Sequence, residues 1–275
     1  MRLAYHTYIF GGRSWLPSWT LEEAIRITAG LGFEGLELAA CRPHGWPWDL
    51  NQARRSEIRR LATNSGLAFS GICPVQVNHN IASPFQEERE ATISYLIECL
   101  HLASDLDCPT IVCGGGWSVE PHTREEAWEW TVDGLSKIAK EAEHLGVVMA
   151  LENINSRRAD VVVTSFDITE MVENVGSHAL KPMIDLYHLY LEGENPLEVI
   201  NRLGSNLAYV HFLDAIKKNR SRVPPGMGEM PLQEILLGLR DVGYDGWLSV
   251  EIWGDDPVAI GSQSVRFFKE IMPDV

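Results

Sequence analysis

The sequence has no CxxC pair, no apolar run long enough to cross a membrane, and no excess of cations. The five cysteines, Cys41, Cys73, Cys99, Cys108 and Cys113, are odd in number and scattered. That argues against a disulfide scaffold and suits reduced thiols in the cytoplasm. The formal net charge is −15. Nucleic-acid grooves and anionic membrane surfaces both attract clustered Lys and Arg, so neither partner is expected. The opening MRLAYHTYIFGG has neither the basic region nor the long apolar core of a secretion signal, and reads as a strand. No Pro/Ser-rich linker or composition shift divides residues 1–275.

What is present is an alternation. Strand-like runs fall at Leu3–Tyr8, Gly35–Ala39, Ala68–Cys73, Thr110–Cys113, Val147–Glu152, up to Asp185, Leu207–His211 and Trp247–Glu251. Helical spacing falls between them, at Leu21–Ala29, Asn51–Asn64, Pro84–Leu106, Thr123–Leu145, Asp167–Val175, Pro196–Leu203, Leu232–Val242 and Pro257–Ile271. Thr20 is the expected N-cap of the first helix, with Glu22 and Glu23 in its first turn. Eight such units point to a single closed (β/α)₈ barrel, with a doubly wound open sheet as the alternative.

The late strands end in acids or histidine: Glu152, Asp185, His211 and Glu251. A buried acid at a strand tip is costly unless it is paired or bound to a cation. A closed ring brings the tips to one mouth, where barrel active sites sit; an open sheet would spread them along an edge. Side-chain alternation agrees. Val148, Ala150 and Glu152 share one face, as do Ser249 and Glu251, and Tyr209 and His211. Three carboxylates and one imidazole suit one divalent cation, manganese foremost, with Co²⁺, Mg²⁺ or Zn²⁺ as alternatives. Such a cation would polarise a carbonyl and stabilise an enediolate, while flanking carboxylates move a proton.

The motifs ALEN (150–153), IDLYH (184–188), VHFLD (210–214) and VEIW (250–253) resemble the xylose-isomerase-like superfamily of sugar isomerases and epimerases. The resemblance spans the chain, including RPH (42–44) and the Gly226-Met227-Gly228 turn. It implies Glu152, Asp185, His211 and Glu251 as metal ligands, with Glu152 and Glu251 doubling as the acid/base pair. His188 would touch the substrate. Epimerases of this group often carry an arginine three residues after the aspartate of strand seven; here Asp214 is followed by Lys217, which keeps the charge but loses the bidentate fork.

Further substrate contacts are expected at Lys217, at His44 in the loop after strand two, at Glu37, inward at the tip of strand two, and at Trp117. Trp15, Trp46, Trp48, Trp117 and Trp253 are numerous enough to pack loops or to form a platform for a sugar ring. Gly114-Gly115-Gly116 reads as a turn or close packing rather than a phosphate cradle.

The expected activity is therefore a metal-dependent isomerase or epimerase acting on a keto sugar, as a homo-oligomer (dimer or tetramer). The alternative is a lyase of the same superfamily: an inosose or 3-dehydroshikimate dehydratase, or a C-glycoside deglycosidase with a small second subunit. An abasic-site endonuclease fits poorly, because strand four ends in CGGG without histidine and the chain is acidic. A barrel that only binds sugar is disfavoured by the complete ligand set.

Overall fold

A computed structural model describes residues 1–11, 19–75 and 79–271. The barrel strands are β1 (Arg2–His6), β2 (Gly35–Ala40), β3 (Ala68–Pro74), β4 (Thr110–Cys113), β5 (Val148–Leu151), β6 (Leu180–Asp185), β7 (Tyr209–His211) and β10 (Trp247–Val250). All pair in parallel, in the closed order β1-β10-β7-β6-β5-β4-β3-β2. The closed (β/α)₈ barrel is confirmed, and the open sheet is not the fold.

Helices α1 (Leu21–Leu31), α2 (Gln52–Asn64), α3 (Gln86–Asp105), α4 (Arg124–Leu145), α5 (Ser165–Val175), α7 (Pro196–Leu203), α8 (Leu232–Asp241) and α9 (Pro257–Ile271) surround the strands. Their starts are fixed chemically. Thr20, Thr123 and Thr164 each cap a first turn, and each is answered by an acid three residues on: Glu23, Glu126 and Asp167. No helix among the described residues is long and apolar enough to cross a membrane.

The two faces of each strand enter different cores. Outward residues such as Leu36, Ile111, Leu151, Val210 and Leu248 pack under the helices. Inward residues Ala4, Ala39, Val112, Ala150, Met183, Tyr209 and Trp247 fill the barrel. Tyr209 spans this interior, and its hydroxyl meets Ser70 Oγ at 2.9 Å. Gly71 makes room for it, because a Cβ there would lie 3.0 Å from the Tyr209 hydroxyl.

Two elements are absent from the sequence reading. A short helix, α6 (Leu186–Glu192), follows β6 directly, and a hairpin of β8 (Asp214–Ile216) and β9 (Ser221–Val223) fills what reads as a polar loop. The hairpin pairs Asp214 with Val223 and Ala215 with Arg222. Buried Asp214 ties the hairpin's base to the turn before α8 by accepting from the backbone N–H groups of Ala215 (2.8 Å), Gly228 (2.8 Å) and Met230 (3.1 Å). Only glycine fits at position 228, because a Cβ there would collide with the Asp214 carboxylate and the Ala215 carbonyl.

Asp214→Ala would strand these three donors. It is expected to lower unfolding stability by roughly 1–3 kcal/mol, read as a shifted urea midpoint. An unchanged midpoint would show that the hairpin is held by other contacts.

Candidate functional site

The C-terminal ends of β5, β6, β7 and β10 bring Glu152, Asp185, His211 and Glu251 together. Each offers one donor atom, and the four atoms lie within 4.8 Å of one another. His211 is central: its Nδ1 lies 3.1 Å from Glu152 Oε1, 3.4 Å from Glu251 Oε2 and 3.6 Å from Asp185 Oδ2. Glu152 and Glu251 sit one residue beyond the ends of their strands, where the backbone leaves the ladder.

Local bonds aim these groups. Asp185 caps α6: its Oδ1 accepts from the His188 backbone N–H at 3.0 Å, which leaves Oδ2 facing His211. The same cap places His188 one turn on. Asn153 clamps the tip of β6, its Oδ1 accepting from the Asp185 backbone N–H at 3.0 Å. Asn155 Nδ2 meets His188 Nδ1 at 2.8 Å.

Sequence reasoning misses one principal residue of the site. Arg222, on β9, is buried and ion-paired with Glu251, and its Nη2 lies 3.2 Å from both Asp185 Oδ2 and His188 Nε2. Its guanidinium sits 4.6 Å from the ring centroids of Tyr187 and of Trp253. Two aromatic faces and two carboxylates fix a planar fork in one orientation.

Electrostatics follows from this crowding. Burial pushes the Glu152 carboxyl up. Burial also opposes ionisation of Asp185 and Glu251, but Arg222 reverses the effect and holds both below the usual carboxylate range. His188 is held down at about 4, mainly by burial.

Glu37, His44 and Lys217 lie elsewhere. Glu37 is not at the tip of β2 but within it, because the strand runs on to Ala40. It is fully buried beneath the cluster, with Oε1 3.1 Å from His211 Nε2. His44 is buried beside α1, with Nε2 3.2 Å from the Trp19 carbonyl. Lys217 lies outside the cavity, its Nζ 6.0 Å from the centroid of Tyr190. Trp117 and Trp253 do line the cavity, together with Tyr8, Cys73, Ile154, Glu152, Arg158, His188, Arg222 and Glu251. Its volume is about 290 Å³. Trp46 and Trp48 stack on Tyr95 instead, and Trp15 lies outside the described residues.

The buried position of Glu37 gives it a different use. Burial opposes its charge, but His211 and His6 hold its carboxyl down at about 2. Without a cation, burial opposes the charge on His211, but Glu37 and Glu251 raise its imidazole well above the ordinary range and Nδ1 faces Glu152 as a donor; with a cation bound, Glu37 would keep the His211 proton on Nε2 and leave Nδ1 to the metal. The four donors at this spacing fit a divalent cation, which Glu152, Asp185, His211 and Glu251 would hold. A second group, His6, Glu37 and Cys73, is also close-set. It does not fit a metal. The Tyr8 backbone N–H donates to His6 Nδ1 at 3.0 Å, so neutral His6 carries its proton on Nε2. Burial also pushes the Cys73 thiol well above its ordinary range.

The model of the family described as xylose isomerase-like TIM barrel matches residues 25–271. The chain belongs to the xylose isomerase-like TIM barrel family. Fructoselysine 3-epimerase of Escherichia coli O157:H7 is 24% identical over 263 residues, covering 92% of this chain and 94% of that enzyme. D-psicose 3-epimerase of Agrobacterium fabrum is 28% identical over 258 residues, covering 90% of this chain and 85% of that enzyme. A crystal structure of a D-psicose 3-epimerase in the presence of D-fructose superposes with a TM-score of 0.82 at 23% identity, covering 99% of both chains. Relatives of this kind make the chain an enzyme.

Glu37→Gln weakens the acceptor that orients His211. It is expected to reduce Mn²⁺ affinity of the metal-stripped protein by roughly 10–100-fold, measured by calorimetry. Unchanged affinity would leave Glu37 as a packing group only.

Proposed function

We propose that the protein is a divalent-metal-dependent epimerase that moves a proton on the carbon beside the carbonyl of a keto sugar. The observation that carries this reading is the meeting of Glu152 and Glu251 in one cavity with His188, Arg222 and two tryptophans. The similarity to fructoselysine and psicose 3-epimerases supports the same reaction class. The five free cysteines agree with a cytoplasmic setting.

A divalent cation at the cluster would supply a Lewis acid for negative charge developing on sugar oxygens. The chain's own residues supply the proton movements. One of the two glutamates takes the proton from the carbon beside the carbonyl. The electron pair of that C–H bond enters the new C=C bond of an enediolate, and the carbonyl oxygen takes up the charge. The other glutamate returns a proton to the opposite face, which inverts the carbon.

Arg222 holds Asp185 and Glu251 ionised and fixed in place beside His188. Trp117 and Trp253 close the cavity around the apolar face of the sugar and limit water at the reacting carbon.

The test is incubation of the Mn²⁺-loaded protein with a panel of ketoses in D₂O. Deuterium is expected at the carbon next to the carbonyl, together with the epimeric ketose. Glu152→Gln is expected to cut the exchange by roughly 10²–10⁴-fold. Exchange in no ketose would contradict the epimerase reading. Exchange accompanied by expulsion of a β-substituent would move the reaction to a lyase.

A further inference from the structure

His188 is met at both ring nitrogens by groups that donate. Asn155 turns Nδ2 to its Nδ1 at 2.8 Å, and Arg222 turns Nη2 to its Nε2 at 3.2 Å. Asn155 and His188 are each only 3% exposed, so a mismatched contact between them is costly. A neutral imidazole has one donor nitrogen and one acceptor nitrogen, and an imidazolium has two donors. Two donors therefore cannot both be satisfied: the neutral ring answers one of them and the charged ring neither.

The two contacts differ in what can give way. A guanidinium carries N–H groups only and has no acceptor to offer in any orientation. Arg222 is also fixed in place. Its guanidinium lies 4.6 Å from the ring centroids of Tyr187 and Trp253, and it is ion-paired with Asp185 and Glu251. The asparagine amide is different, because exchanging its oxygen and nitrogen leaves its outline unchanged and its partners decide which end faces the ring. Only one long bond opposes the exchange: Oδ1 accepts from the Arg157 backbone N–H at 3.3 Å. The Asn155 backbone carbonyl, bonded to the N–H groups of Arg158 (2.9 Å) and Ala159 (3.3 Å), keeps the residue seated either way. Giving up a 3.3 Å contact to make the 2.8 Å contact a true hydrogen bond is the better balance.

We infer that Asn155 is a positioning residue of this site: its Oδ1 accepts the Nδ1 proton of His188 and so holds the ring in the tautomer whose Nε2 is an acceptor. Nε2 then takes the Arg222 N–H, and His188 lines the cavity as an acceptor rather than a donor. A sugar hydroxyl entering beside His188 can donate to that lone pair in place of Arg222, which keeps Asp185 as its partner. A carbonyl oxygen at the same place would find no proton. His188 thereby marks a hydroxyl position of the ligand, and the carbonyl is left to the side of the glutamates. The effect on turnover rests on the epimerase reading above; the tautomer does not.

The test is a long-range ¹H–¹⁵N NMR correlation spectrum of the Mg²⁺-loaded full chain at neutral pH, with His188 assigned by the signals lost in His188→Gln. Protonated and unprotonated ring nitrogens differ widely in ¹⁵N shift. Nδ1 is expected to be protonated and Nε2 unprotonated. In Asn155→Leu the Nδ1 proton loses its acceptor, and both shifts are expected to move toward the intermediate values of mixed tautomers. Asn155→Asp, whose ionised carboxylate only accepts, is expected to keep the Nδ1 proton. A proton on Nε2 alone, a proton on both nitrogens, or a pattern unchanged in Asn155→Leu would overturn the inference. Deuterium exchange from a ketose is scored on the same proteins. Its kcat/KM is expected to fall roughly 10-fold in Asn155→Leu, as for one lost orienting hydrogen bond, and to recover in part in Asn155→Asp. Exchange in no ketose would refute the epimerase reading and leave the NMR result standing, and exchange in a protein with the opposite tautomer would do the reverse.

Discussion

Three carboxylates lie buried with one imidazole, their donor atoms within 4.8 Å of one another. Like charges so placed in a poorly solvated end of a barrel are stable only when cations answer them. Arg222 is the cation that the chain itself supplies, and the neighbouring groups hold the cluster in place. Arg222 reaches in from the hairpin to Asp185 and Glu251. Glu37 stands behind His211, and His6 stands behind Glu37 at 3.6 Å. Asp185 spends one oxygen on a helix cap, and Asp214 pins the hairpin that delivers Arg222. The proposed cation is the remaining answer.

The order of these supports runs inward from the backbone. The closed parallel sheet sets which tips meet. Strand alternation decides that Glu152, His211 and Glu251 face the axis rather than the helices. Caps and clamps then fix rotation about individual side chains. A site held by so many independent constraints is pre-organised, which favours charge development over reorganisation during a reaction.

Much of this is legible in the sequence, because period-two alternation and capping residues are local signals. The barrel and the four strand-tip residues follow from them. Arg222 does not. It lies on a three-residue strand, in a stretch whose polar composition and prolines read as loop, and only pairing with Ala215 turns it inward. Glu37 shows a different limit: alternation gives its direction, but its depth depends on how far the strand runs on, to Ala40. His44 and Lys217 sit in irregular segments, where no periodicity says which way a side chain points. The tryptophans divide for the same reason, Trp117 and Trp253 to the cavity and Trp46 and Trp48 to Tyr95.

The most direct measurement is the metal content of the purified protein beside that of Asp185→Asn, with both variants checked for an intact fold. Asp185 presents one oxygen to the cluster and the other to a helix cap that asparagine can still provide. About one divalent ion per chain, lost or greatly weakened in the variant, is the predicted result. A folded wild-type protein that purifies without metal and takes up none from excess Mn²⁺ would contradict the metal site. The four residues would then be a polar cluster held by Arg222 alone.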